Sequence, residues 1–148
     1  MLDRSAIGRE YPPFTVEIEK GMLRLFAEAV GETNPIFLDE GLAREAGYRS
    51  LPAPPTYGFC LLQMNGRETF AHLMDLGVDL GRLLHAEQAF RYHRVLCAGD
   101  KVTCWLKIED IYEKKGGALE IVVEEARLTT EDGALAVELR NVWFVRNG

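Results

Sequence analysis

Cysteine, tryptophan, histidine and positive charge are all scarce in this sequence of 148 residues, and each scarcity excludes something. The cysteines, Cys60, Cys97 and Cys104, are odd in number and form no Cys-x-x-Cys pair. Neither a disulfide framework nor a zinc knuckle is indicated, and they read as reduced, small core residues. His72, His85 and His93 share no metal-ligand spacing, so no metal site is expected. Lys and Arg number 17 against 23 Asp and Glu, a net charge of −6. Without a basic field, neither a nucleic-acid groove nor an anionic membrane surface is an expected partner. No apolar run approaches the length of a spanning helix, and Met1-Leu2-Asp3-Arg4-Ser5 lacks the apolar segment of a signal peptide. A cytoplasmic protein without membrane insertion is expected. The sequence also holds no Gly-x-Ser-x-Gly elbow, phosphate loop, dinucleotide fingerprint, internal repeat or linker.

What is present suits one domain over residues 1–148, because 47% hydrophobic residues are enough to bury a single core. Tyr11-Pro12-Pro13 opens an extended segment in which Phe14, Val16 and Ile18 alternate with polar neighbours, a short first strand. From Lys20 the period changes. Met22, Phe26, Ala29 and Val30 recur at three and four and predict a helix of about three turns that Gly31 ends. Asn34-Pro35 forbids continuation of that helix, and a second short helix is predicted from Asp39 to Ala46, closed by Gly47. Pro52, Pro54 and Pro55 stiffen the next loop. The run Tyr57, Phe59, Cys60, Leu61, Leu62, Met64 is then apolar on nearly every side, which predicts a buried helix ending near His72 or Met74.

After Gly81 the pattern is that of strands. Leu84, Ala86, Gln88, Phe90 and Tyr92 share one face of the first, with His85, Glu87, Ala89, Arg91 and His93 on the other. Ala98-Gly99-Asp100 is a turn, and Val102, Cys104, Leu106 and Ile108 alternate beyond it. Lys114-Lys115-Gly116-Gly117 and Asp132-Gly133 are hairpin signals. Between them the apolar set changes phase from Leu119, Ile121 and Val123 to Ala126 and Leu128, which suggests a bulge. One antiparallel sheet curled around one long buried helix accommodates every piece: an α+β, hot-dog architecture. Helices packed flat on one sheet face are the alternative.

The stretch Val30-Gly31-Glu32-Thr33-Asn34-Pro35-Ile36-Phe37-Leu38-Asp39, followed by Ala53-Pro54-Pro55-Thr56-Tyr57, resembles the motif loop of the MaoC-like (R)-specific hydratase/dehydratase family, which reads roughly Gly-Asp-x-Asn-Pro-(Ile/Leu/Val)-His before the central helix. Leu84-His85-Ala86-Glu87-Gln88, Phe90, Tyr92-His93-Arg94 and Ala98-Gly99-Asp100 are similar to the corresponding strand and turn of N-terminal MaoC-like dehydratase domains. The resemblance spans roughly Gly21 to Lys101. It implies a hot-dog fold and reversible addition of water to an enoyl thioester on coenzyme A or acyl carrier protein, with no cofactor beyond that substrate carrier. Such chemistry needs a carboxylate and an imidazole holding one water, with backbone N–H donors at a helix start polarising the thioester carbonyl.

Two catalytic letters differ. Glu32 stands where the family has Asp, and Phe37 where it has His. One extra methylene shifts the base, and a benzene ring carries no proton. Pro54 or Pro55 holds the place of the helix-start glycine and has no N–H to offer, which leaves Thr56 or Tyr57 as donors. The expected site is therefore Glu32 and His85 as catalytic candidates, with Asn34, Phe37, Pro55, Thr56 and Tyr57 against the acyl thioester. Each has a plainer reading: Glu32 as a solvated charge, Asn34 as a turn former, Phe37 as core, His85 and Glu87 as a surface pair.

Three functions follow. The first is a thioester-binding, non-catalytic subunit, dimerising with itself or with a catalytic MaoC-like relative through an exposed sheet edge. The second is an active hydratase using Glu32 or Asp39 with His85. The third is a thioesterase with Glu68 as its carboxylate. His93 and Arg94 are candidates for a coenzyme A phosphate.

Overall fold

In the computed structural model, which describes residues 1–66 and 70–147, five strands form one antiparallel sheet in the order β1-β3-β4-β5-β2. The strands are β1 Phe14–Glu17, β2 Leu83–Tyr92, β3 Lys101–Lys114, β4 Leu119–Thr130 and β5 Leu135–Arg146. The helices are α1 Lys20–Ala29, α2 Glu40–Glu45, α3 Tyr57–Leu61 and α4 Ala71–Met74. This is the α+β hot-dog arrangement that the periodicity predicts. Among the described residues no helix is long and apolar enough to cross a membrane.

The turns fall where the sequence signals them. Gly31 (φ +72°) and Gly47 (φ +94°) take the left-handed backbone that ends α1 and α2. At the β4–β5 turn, Thr130 N–H donates to Ala134 O at 2.9 Å and Gly133 N–H to Thr130 O at 2.8 Å.

Three sequence expectations are corrected. The buried helix stops at Leu61, because Gln63 and Met64 turn their N–H groups to Cys60 O and Leu61 O, three residues back, and Gly66 then adopts φ +68°. The frame survives a short helix, since burial of Leu61 and Leu62 comes from the sheet. The phase change in β4 is not a bulge of β4. Ile121 and Val123 lie in a small outer-face cluster with Val142, Tyr112 and Phe144, while Glu120 and Glu124 occupy inner positions. The extra residue sits opposite, in β3 between Ile108 and Asp110. In β2 an unforeseen bulge between His85 and Glu87 breaks the alternation. It turns His85 to the same face as Gln88 and Phe90 and sends Leu84 outward, 45% exposed.

An N-terminal strap closes the far end of the sheet. Leu2 N–H donates to Glu120 Oε1 at 2.7 Å, and Gly8 N–H to Ile108 O at 2.8 Å beside the β3 bulge.

The inner face reads as rows across β2, β5 and β4. Tyr92, Val137 and Leu128 form one row, and Phe90, Leu139 and Ala126 the next. Apart from the half-exposed Tyr92, both belong to the core under α1 and α3. His85, Trp143 and Val122 form another, whose last two members belong to a second core under α4 and the strap. Between these lies the polar row Gln88, Asn141, Glu124. Glu124, 1% exposed, accepts from Trp143 Nε1 at 2.7 Å and Asn141 Nδ2 at 3.1 Å, and pairs with His72 Nε2 at 2.8 Å. A buried carboxylate is tolerable because each oxygen is met.

The cover lies close against the sheet at Gly58. A Cβ there would stand 3.2 Å from Leu128 Cδ1, 3.8 Å from Leu139 Cδ2 and 4.0 Å from Phe90 Cε1. Gly58→Val is expected to destabilise the protein by about 1–3 kcal/mol through overpacking, measured as a lower urea midpoint at unchanged slope.

Candidate functional site

The motif loop is built from its own polar side chains. Past Gly31, Glu32 Oε1 accepts from the backbone N–H of Thr33 at 2.9 Å and of Asn34 at 2.8 Å. Asn34 Oδ1 accepts from Ile36 N–H at 3.2 Å and caps a 3-10 turn over Pro35–Phe37, whose first position suits proline. Asp39 Oδ1 then caps α2 by accepting from Leu42 N–H at 2.9 Å. Three acidic or amide side chains thus satisfy donors that the bends leave open.

The loop is braced at Glu40, which takes Lys20 Nζ of α1 at 2.7 Å, Arg44 at 2.9 Å and Ser50 Oγ at 3.0 Å. The hydrogen bond from Lys20, then that from Ser50, brings the Glu40 carboxyl down from 4.5 to about 2. The Pro52–Pro55 segment is held from the other side, with Ala53 N–H on Leu96 O at 2.8 Å and Ala98 N–H on Leu51 O at 2.9 Å. Arg49 and Asp100 lock the adjoining turn through two 2.6 Å contacts.

Between the loop and the prolines is a mostly apolar cavity of about 210 Å³. Phe37, Tyr48, Pro55, Gly58, Tyr92 and Val137 are among its walls, with Arg94 at its edge. Tyr92 Oη donates to Pro55 O at 2.6 Å and ties the β2 edge to the proline loop. This is a recess suited to an alkyl chain rather than to a charged group.

The residues singled out from sequence fall in different places. Phe37 and Pro55 line the cavity; Asn34 and Glu32 shape the loop beside it. Tyr57 is 2% exposed and edge-on to Phe26 at 5.3 Å, and burial pushes its phenol pKa up, so its ring is core. Its N–H donates to Pro54 O at 2.9 Å, and Thr56 is the N-cap residue of α3 without a side-chain cap bond. His85 is exposed, and its ring stacks against Trp143 at 4.4 Å and Phe59 at 4.9 Å, on the border of the second core. It stands seven positions before Tyr92, a wall of the cavity, roughly 20 Å of strand at about 3.3 Å per residue, and its ring contacts are with Phe59 and Trp143. Its sequence neighbour Glu87 lies 3.7 Å from Arg140 instead. His93 pairs with Glu138 at 2.8 Å and Arg94 with Asp132 at 2.9 Å. Glu68 lies outside the described residues.

The sequence reading missed Tyr48, Tyr92 and Gly58 as cavity walls. Only the Pro55-to-Tyr92 bond and the close approach of α3 reveal them; a pattern of alternation does not. Among the described residues no group of three or more His, Cys, Asp or Glu is placed to hold a metal ion. The thiols are all free, and burial pushes Cys104 up to about 12.

Fold and site together define a hot-dog domain of the MaoC-like dehydratase family. The sequence profile of the FAS1-like dehydratase domain region matches residues 5–139, and the chain belongs to that family. It is 36% identical over 133 residues to a UPF0336 protein of Saccharopolyspora erythraea, covering 89% of this chain and 83% of the relative. With a UPF0336 protein of Thermobifida fusca it shares 36% over 146 residues, 98% and 94% of the two chains. Among solved structures it is similar to a chain of the C-terminally truncated HadBC (3R-hydroxyacyl-ACP dehydratase) complex of Mycobacterium tuberculosis. That likeness has a TM-score of 0.77 and 29% identity over 94% of this chain and 96% of that one. The ChsH1-ChsH2 complex of the same organism shares the fold, at TM-score 0.74 and 21% identity over 98% and 88% of the chains.

Because the Glu40 carboxyl is held below its ordinary 4.5, its pairing stabilises the fold fully above about pH 4.5 and is lost as the pH falls through about 2. Lys20→Met is expected to raise the Glu40 pKa toward 4.5, read by carboxyl-carbon NMR titration.

Proposed function

We propose that this chain is an acyl-thioester-binding subunit of the (R)-3-hydroxyacyl dehydratase/enoyl hydratase kind that depends on a catalytic hot-dog partner for chemistry. The observation that carries the proposal is the pairing of Phe37 in the wall of an apolar cavity with a Glu32 carboxylate already given to two backbone donors. Hydration needs a base that holds water and a group that moves a proton; here one oxygen of the carboxylate is engaged by its own loop, and the second position is a hydrocarbon ring. Of the two backbone donors at the helix start, Thr56 and Tyr57, the Tyr57 N–H is also engaged by Pro54.

In this reading the acyl chain enters past Phe37 and Pro55, carried on coenzyme A or acyl carrier protein in the cytoplasm, with no cofactor. The partner is a second hot-dog chain, either a catalytic relative or another copy. β2 pairs within the sheet only with β5, so its other edge has backbone groups for a neighbouring strand. Support for a heteromeric arrangement comes from the complexes HadBC and ChsH1-ChsH2, to which the chain is similar in fold.

Purified alone and mixed with crotonyl-CoA and longer enoyl-CoAs, the protein is expected to bind without consuming the enoyl group, and turnover is expected on adding a separately expressed catalytic hot-dog subunit. Phe37→Ala should weaken acyl-CoA binding by roughly tenfold, as expected for loss of part of a phenyl contact. Turnover by the chain alone that His85→Ala abolishes would overturn the proposal, and release of free thiol would replace it with a thioesterase.

A further inference from the structure

We propose that Gln88 and Asn141 form a buried site for one water molecule, which joins the edge strand β2 to the polar row inside the protein. The two residues are direct partners across β2 and β5, on the inner face. Two buried atoms there are without a hydrogen-bond partner, Gln88 Oε1 and Asn141 Oδ1. Asn141 is 1% exposed.

Neither amide escapes by exchanging its oxygen and nitrogen. Asn141 Nδ2 donates to the Glu124 carboxylate at 3.1 Å, and reversing the amide would set an oxygen against that carboxylate. Gln88 Nε2 faces two carbonyls, Ala89 O at 3.3 Å and Arg140 O at 3.4 Å, and reversal would set three acceptors together. Each free atom is therefore an acceptor, and two acceptors cannot satisfy one another. One body with two donors would meet both, neutral because Glu124 already has the donors of His72, Asn141 and Trp143. Water meets both conditions at the smallest size, and buried water commonly bridges polar groups that the chain leaves open.

The row then runs unbroken from the β2 edge through water, Asn141 and Glu124 to His72 on α4. It crosses the boundary between the two apolar cores, so it ties the strand that bears Tyr92 and His85 to the middle of the sheet. Phe90 and Leu139 stand between this row and the cavity under Phe37, which keeps the water apart from the acyl recess.

The test is an atomic-resolution crystal structure of the full chain together with rotating-frame NMR cross-peaks between water and the Asn141 side-chain amide. A density peak at about 3 Å from both oxygens, with cross-peaks from a long-lived water, is expected in the unaltered protein. Gln88→Met is expected to abolish both signals and to lower the melting temperature. A structure in which the Gln88 amide swings to donate directly to Asn141 Oδ1, with no peak and no cross-peak, would overturn the proposal. So would a peak whose contacts and anomalous signal fit a monovalent cation.

Discussion

The close approach of α3 to the inner face of the sheet at Gly58 is the contact on which the rest of the molecule depends. An antiparallel sheet with one apolar face gains stability only when something dry covers it, and at this contact the cover is a helix of five residues. Its closeness compensates for its brevity. With no side chain at Gly58, Leu128, Leu139 and Phe90 reach the helix backbone, and Tyr57 and Leu61 on either side are buried almost completely. The prolines that precede α3 are thereby held over Val137 and Tyr92, and that placement makes the cavity.

The polar row Gln88, Asn141, Glu124 divides the interior into two regions with different duties. On one side, rows of Val137, Leu139, Leu128 and Ala126 support α1, α3 and the motif loop. On the other, Trp143, Val122 and Val145 pack with α4 and the N-terminal strap. His85 belongs to the second region by virtue of a single extra residue in β2. That bulge sets the imidazole on the Trp143 side of the strand, stacked on its indole.

The motif loop spends polar side chains on its own backbone. Glu32, Asn34 and Asp39 keep acidic or amide character, and each uses an oxygen to cap a backbone bend. With Phe37 in the cavity wall, the loop presents a hydrocarbon surface to whatever enters. The kinship to dehydratases and the altered letters of the motif are therefore compatible: the loop keeps its bends and its caps with Glu at position 32 and Phe at position 37.

The sequence by itself determined the element order, the turns and the class of fold, because these follow from short-range rules: two-residue and 3.6-residue periods, prolines without donors, glycines in left-handed turns. It also singled out Phe37 and Pro55, which the structure places together in one wall. The length of the buried helix, the inward-facing Glu120 and Glu124, and the position of His85 were beyond it. Each of these depends on partners distant in the chain: Glu124 is inward because Trp143, Asn141 and His72 supply its hydrogen bonds, and the exposed His85 shares the Trp143 face because β2 gains a residue against β5. Local pattern specifies what a segment is able to become. Which of its side chains meet is decided by the register of the sheet and the bodies packed on it.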